Sequence, residues 1–273
     1  MKKLSLSLIG ILMAAALMIS GCGGDSNTSG DNANDDKKTI RIATVALEAP
    51  VLEVAAEDLR QQGYEVELII FDDAVAPNAA VNEGSADVNY FQHEPYLLAY
   101  NEANGTDLVM VDTKIVGDAY CLFSSKYTDP NDLPNGAVIS IASDAANQAR
   151  GLNVLAECGL ITLDPNVERP TKFDVIDNPR NFEFIEMDTR SLIGSIDDVD
   201  GLTCSSCYSG WANLTIDDAI AQGSDINECA QSFAVKPDDI DAQWLKDLTA
   251  AMTTDAVRDA IIKEYDGGYI PLF

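Results

Sequence analysis

From Thr39 onward, short apolar runs bounded by turn residues alternate with longer stretches whose apolar residues recur at helical spacing. Residues 40–46 form the first such run, and a strand is expected there. Residues 50–62 place Val51, Leu52, Ala55 and Leu59 on one helical face, and Gly63 follows where a helix end favours a left-handed residue. Residues 66–71 read as a second strand, and a short helix after Pro77 ends at Gly84. A third strand at 86–90, a helix at 93–103 and a strand at 108–111 complete the series. This strand–helix order predicts an α/β fold, with a mostly parallel sheet covered on both faces. Such sheets take ligands at the carboxyl ends of their strands, in loops that lead into helices.

A second unit repeats the plan. Strands are expected at 137–142, 182–187, 202–206 and 232–235, and a helix at 145–158 that Ser143 or Asp144 can cap. Two amphipathic helices close the chain. Trp244, Leu245, Leu248 and Met252 line the first, and Val257, Ile261 and Tyr265 the second. The economical architecture is two α/β lobes: 39–118 with 237–273 in the first, and 119–236 in the second.

The amino end has a different character. Lys2 and Lys3 precede an apolar run that ends at Ile19-Ser20-Gly21-Cys22, which reads as a signal peptide over 1–21. The run is at the short end for spanning ~30 Å of hydrocarbon. Ile-Ser-Gly-Cys resembles the bacterial lipobox, which makes Cys22 the lipidation site. Residues 22–38 are then a polar tether with too little apolar surface to offset its ordering entropy. The expected location is extracytoplasmic, lipid-anchored to the bacterial cell membrane.

Charge and composition narrow the function. Among 273 residues, 17 Lys and Arg face 45 Asp and Glu, a formal charge of −28 that repels phosphate backbones, so nucleic-acid binding is not expected. A single histidine, His93, argues against a histidine-rich metal site, and no cofactor or metal is implied. No nucleotide-binding loop or G-x-S-x-G elbow occurs. Paired acids such as Asp72-Asp73 and Asp197-Asp198 read as a solvated surface at this acid density. Setting Cys22 aside leaves five cysteines, an odd number that cannot all pair within the chain. Cys204-Ser205-Ser206-Cys207 has redox or metal-ligand spacing, but it lies in what reads as a strand running into a loop, and no second close pair is present. Buried free thiols or one structural disulfide fit better.

Two loops carry candidate chemistry. Tyr90-Phe91-Gln92-His93-Glu94-Pro95-Tyr96 follows a strand and opens a helix, with three aromatics around one imidazole. Phe91 and Tyr96 can be core residues with His93 a cap, or they can wall a cleft. In the second loop Arg150 lies within about two turns of a helix start, where a guanidinium and unpaired backbone N–H groups both favour a carboxylate. The alternative is an ion pair between Arg150 and one of the many acids.

These residues carry a resemblance. Tyr90-Phe91-Gln92-His93-Glu94-Pro95-Tyr96-Leu97 is close to the aromatic F-Q-H-x-P-Y-L motif of the methionine-binding lipoproteins of ABC importers, the NlpA/MetQ type. Leu133-Pro134-Asn135-Gly136, the Asn147 to Arg150 helix and Gly159-Leu160-Ile161-Thr162-Leu163 match further, as do Asp177-Asn178-Pro179 and Ser195-Ile196-Asp197-Asp198. The resemblance covers nearly the whole body, from Ile40 to Phe273. It implies a two-lobe, periplasmic-binding-protein-like fold of type II, each lobe a mixed sheet flanked by helices, closing on a free amino acid, with no turnover.

Carried over, Phe91, His93 and Tyr96 line the side-chain pocket, Arg150 clamps the α-carboxylate and Asn147 bonds nearby. An ABC permease with a cytoplasmic ATPase is the implied partner. The chain also departs from the family. An asparagine expected at a strand end is replaced by Ser205 or Ser206, and a second falls near Gln231 or Ser232. An aromatic usual in a V-Y-P segment is replaced around Val116-Gly117-Asp118. Ser205 and Ser232 are taken as the substitute ligands, which leaves the identity of the amino acid open. The rival roles are a surface lipoprotein for adhesion or sensing, or an exported thiol enzyme built on Cys204 and Cys207.

Overall fold

A computed structural model describes residues 38–273, so the leader, Cys22 and nearly all of the tether lie outside the described residues. In the first half the order is β1 (Thr39–Val45), α1 (Ala49–Gln61), β2 (Glu65–Phe71), α2 (Ala76–Glu83), β3 (Val88–His93), α3 (Glu94–Asn104), β4 (Val109–Met110) and β5 (Val116–Gly117). It continues with β6 (Tyr120–Phe123), β7 (Val138–Ala142), α4 (Ala145–Glu157), β8 (Thr162–Leu163), β9 (Val175–Asp177), β10 (Glu183–Met187), β11 (Gly201–Ser205) and β12 (Ala221–Gln222). β13 (Gln231–Val235), α5 (Gln243–Met252), α6 (Asp255–Tyr265) and β14 (Ile270–Pro271) complete the chain.

The strands form two main sheets. The first runs β14-β5-β13-β3-β1-β2, with β4 also on β13, and the second runs β10-β7-β11-β6-β12. Both are mixed: β1 is parallel to β2 and β3 while β13 is antiparallel to β3, and β7 is parallel to β10 and β11 while β6 is antiparallel to β11. Strand alternation feeds two cores in the first half. Ile40, Ile42, Val88 and Phe233 point to α1, α5 and α6, while Ala43 and Ala234 point to Val81 of α2 and Leu97 of α3. In the second half Ile139 and Ile141 pack on Leu152 and Leu155 of α4, and Phe123, Leu202 and Cys204 fill the opposite face.

β13 departs from the sequence reading, which placed 232–235 in the second lobe. It lies in the middle of the first sheet, paired with β3, β4 and β5, so the chain returns to the first half before residue 231. Its residues are all buried, and an all-apolar or all-buried strand carries no local sign of which sheet will cover it. The segment after Ser205 also differs from expectation. It is a 3-10 helix, Ser206–Ala212, because the Ser205 hydroxyl accepts the backbone N–H of Cys207 and caps it.

Candidate functional site

A cavity of about 350 Å³ lies where loops at the strand ends of both halves meet. The first half contributes the end of β3 and the start of α3. His93 sits at the junction as the cap of α3, its Nδ1 accepting the Tyr96 backbone N–H at 3.2 Å. That bond leaves the ring proton on Nε2, which faces Asn147 Oδ1 at 3.1 Å. Burial and the nearby Arg150 charge push His93 below its ordinary pKa, so the ring stays neutral. Both readings of this loop therefore hold at once: the histidine caps a helix and lines the cavity. Tyr96 stands edge-on to Phe91, with ring centroids 6.0 Å apart, and its hydroxyl donates to Ala74 O.

The second half contributes the start of α4. Asp144 caps it by accepting the Asn147 N–H at 2.9 Å, and it also takes both Asn147 Nδ2 and Thr189 Oγ1. Arg150 follows one turn later, buried, with its guanidinium 4.8 Å from the centroid of the Tyr120 ring. Gly151 makes this placement possible. A Cβ there would lie 2.2 Å from Thr203 Oγ1, so only glycine lets α4 settle onto β11 at this point.

Arg150 makes more bonds within the chain than the sequence reading anticipated. Nε and Nη2 grip Asp225 at 2.7 and 3.1 Å, Nη1 reaches Asp118 Oδ2 at 3.1 Å, and Nη2 also donates to the Asp118 carbonyl at 2.9 Å. Burial opposes the charge on Arg150, and Asp118 and Asp225 more than offset it, raising its pKa. Burial likewise works against ionised Asp225, yet the two Arg150 bonds hold it below the ordinary carboxylate range.

Phe91, His93, Tyr96, Asn147, Arg150 and Ser205 all line the cavity, and Ser232 does not. The Ser232 hydroxyl is buried against Thr113 O at 2.6 Å, and its neighbour Gln231 lines the cavity instead. A one-residue step along a strand exchanges its faces, so only one of the two positions considered reaches the cavity. Gln231 Nε2 donates to the Tyr269 hydroxyl at 2.7 Å, which in turn donates to Glu48 Oε1 at 2.6 Å. Burial is the main cause that pushes Glu48 up to about 8. Ser205 is the serine that stands for the first expected asparagine, since Ser206 turns away to Gly268 O. The Ser205 hydroxyl also faces Cys207 Sγ at 2.8 Å.

All five described cysteines are free. Cys121 and Cys204 face each other across β6 and β11, and burial pushes Cys121 up to about 12 and holds Cys204 and Cys207 well above the ordinary thiol range. Those thiols stay protonated, which removes the basis for a thiolate nucleophile. Among the described residues no group of three or more His, Cys, Asp or Glu could hold a metal ion.

The profile of the NlpA lipoprotein family matches residues 40–273. The chain belongs to that family. Among its relatives, the D-methionine-binding lipoprotein MetQ of Escherichia coli K12 is 30% identical over 270 residues, covering 96% of this chain and 95% of that one. A nutrient-binding protein from Burkholderia cenocepacia, solved bound to methionine, is 31% identical with a TM-score of 0.78, covering 86% of this chain and all of that one. Lipoprotein Tp32 of Treponema pallidum has 30% identity and a TM-score of 0.81 over 85% of this chain and 98% of that one. The fold expected from the strand–helix order is thus that of NlpA-family lipoproteins and periplasmic substrate-binding proteins.

Proposed function

We propose that the protein is an extracytoplasmic, lipid-anchored substrate-binding protein of an ABC importer, and that it captures a small amino acid, methionine or a relative, between two closing lobes. Family membership and the methionine-binding names of the relatives support this reading. The observation that carries it is Arg150. A buried guanidinium stands near a helix start beside a wall of Phe91, His93 and Tyr96, in a cavity of small-molecule size. In this reading the ligand's α-carboxylate takes the place of Asp225 on Arg150, the more exposed of the two carboxylates that the guanidinium holds. Asn147 and Ser205 add hydrogen bonds, the aromatic wall takes the side chain, and exclusion of water strengthens the arginine–carboxylate pair. Cys22 carries the lipid, and the loaded protein docks on a permease driven by a cytoplasmic ATPase. The protein itself performs no turnover.

A thermal-shift screen of the full chain against free amino acids, including D- and L-methionine, tests the reading. A ligand at one hundred times its Kd stabilises by ~2.7 kcal/mol, enough to separate the substrate from the rest of the panel. A shift confined to one or a few small amino acids is expected. No shift with any of them overturns it.

A further inference from the structure

Two buried oxygen atoms on residues that line the cavity have no hydrogen-bond partner among the described residues: Asp118 Oδ1 and Gln231 Oε1. Both are acceptors. They lie close in the fold, because Val116 pairs with Gln231 across β5 and β13 and Asp118 follows two residues later. The Gln231 amide is oriented from behind. Tyr269 gives its proton to Glu48, which leaves the tyrosine oxygen to accept from Gln231 Nε2, and Oε1 is left without a donor.

Charge points the same way. Asp118 is 1% exposed, and it shares Arg150 with Asp225, so one buried guanidinium faces two carboxylates. His93 is neutral and adds no cation. Asp73, Asp144 and Asp188 also line the cavity, against the one further cation of Arg190. A buried acceptor pair beside an excess of negative charge calls for a group that donates several hydrogen bonds, accepts none and is positive. A hydroxyl brings one proton and lone pairs of its own, whereas an ammonium brings three protons and the charge.

We propose that Asp118, with Gln231 beside it, accepts the ligand's ammonium group, so that the site selects a protonated amine ahead of a carboxylate. Asp118 stands in the segment where the family's usual aromatic is replaced, and it gives this protein a counter-ion for the amine. The proposal rests on reading the cavity as an amino-acid site, and it names the group of the ligand that site holds most firmly.

The test compares three probes on the full chain by calorimetry. They are L-methionine, its amide (amine kept, carboxylate charge removed) and its desamino acid (carboxylate kept, amine removed). If another amino acid gives the largest thermal shift, the same pair of analogues is made from that one. Both analogues are expected to bind more weakly than the parent, the amide at least ~10-fold more tightly than the desamino acid, because a site built for a donor rejects a ligand that lacks it. Asp118→Asn, with its fold checked by circular dichroism, is expected to weaken the amide ~30-fold or more. Equal binding of amide and desamino acid to the unaltered protein overturns the ammonium assignment and leaves the amino-acid cavity standing, as does an Asp118→Asn protein that holds the amide unchanged. Failure of every free amino acid and of the amide to bind overturns the amino-acid reading itself.

Discussion

Two buried polar clusters adjoin the cavity, and they are built on opposite plans. Asn78, Asn89 and Gln92 form a neutral network closed on itself. Asn78 Nδ2 donates to Gln92 Oε1 at 2.9 Å, Asn89 Nδ2 to Asn78 Oδ1 at 2.8 Å, and Gln92 Nε2 to both Asn78 Oδ1 and Asn89 Oδ1 at 2.6 and 2.8 Å. Every side-chain oxygen in it has a donor, so it ties α2 to β3 and asks nothing of a ligand. The cluster of Arg150, Asp118 and Asp225 is charged, and Asp118 Oδ1 is left over. One cluster has every side-chain oxygen satisfied from within the chain, and the other leaves a buried acceptor without a donor among the described residues.

The sharpest way to break the contrast is Arg150→Ala. It leaves two carboxylates without their buried partner, and a loss of ~3–5 kcal/mol in urea unfolding is expected together with loss of any ligand-induced stabilisation. Near-parental stability would mean that the guanidinium contributes nothing to the fold. Asn78→Ala opens the closed network instead. A loss of ~2–3 kcal/mol is expected from the orphaned amides, with ligand affinity in calorimetry held within ~3-fold. A large affinity change would merge the two clusters into one functional unit.

Glu48 gives an effect that is absent at low pH and grows as pH rises, which makes its shape the most diagnostic. Its pKa is raised from an ordinary 4.5 to about 8, so the folded chain holds a proton that the unfolded chain releases between those values. Its contribution to stability is therefore whole below the lower value and is lost as pH rises through the upper one, at up to ~1.4 kcal/mol per pH unit. Glu48→Gln, which cannot ionise, is expected to gain stability relative to the parent between about pH 5 and pH 8 in a urea series. Parallel curves for the two proteins would place the buried group elsewhere.

Much of the architecture was legible because its signals are local. Gly84 ends α2 in the left-handed conformation, and Val51, Leu52, Ala55 and Leu59 are the buried face of α1. The strand running into the His93 cap was visible as an aromatic cluster at a strand end, although β3 extends to His93 itself and carries Phe91 and Gln92 as strand residues. Arg150 stood out as a cation in a helix start. The rest of the site was hidden for two physical reasons. Asp118 and Asp225 are two among 45 acids, and no sequence pattern separates a buried carboxylate from a solvated one. Glu48, Gln231 and Tyr269 come from three distant segments that meet only through the sheet order β14-β5-β13-β3-β1. Whether Gln231 or Ser232 reaches the cavity turns on strand register, which the turn-free run around them leaves unmarked.

The central place of β13 has a consequence for how the molecule is made. The polypeptide emerges amino end first, and the segment from β6 to β12 can close on itself while β1, β2 and β3 wait. Until Gln231–Val235 arrives, β3 stands with its backbone bonding groups uncovered along one side, a strand edge open to any passing partner. The delay is long in chain terms, because the whole intervening half must be produced before the gap is filled, and such distant pairings form slowly. His93 finds its neighbour Gln231 only at that late step. A chain interrupted before that strand therefore lacks a finished first sheet and one wall of the cavity together, so sheet and cavity are completed in the same late step.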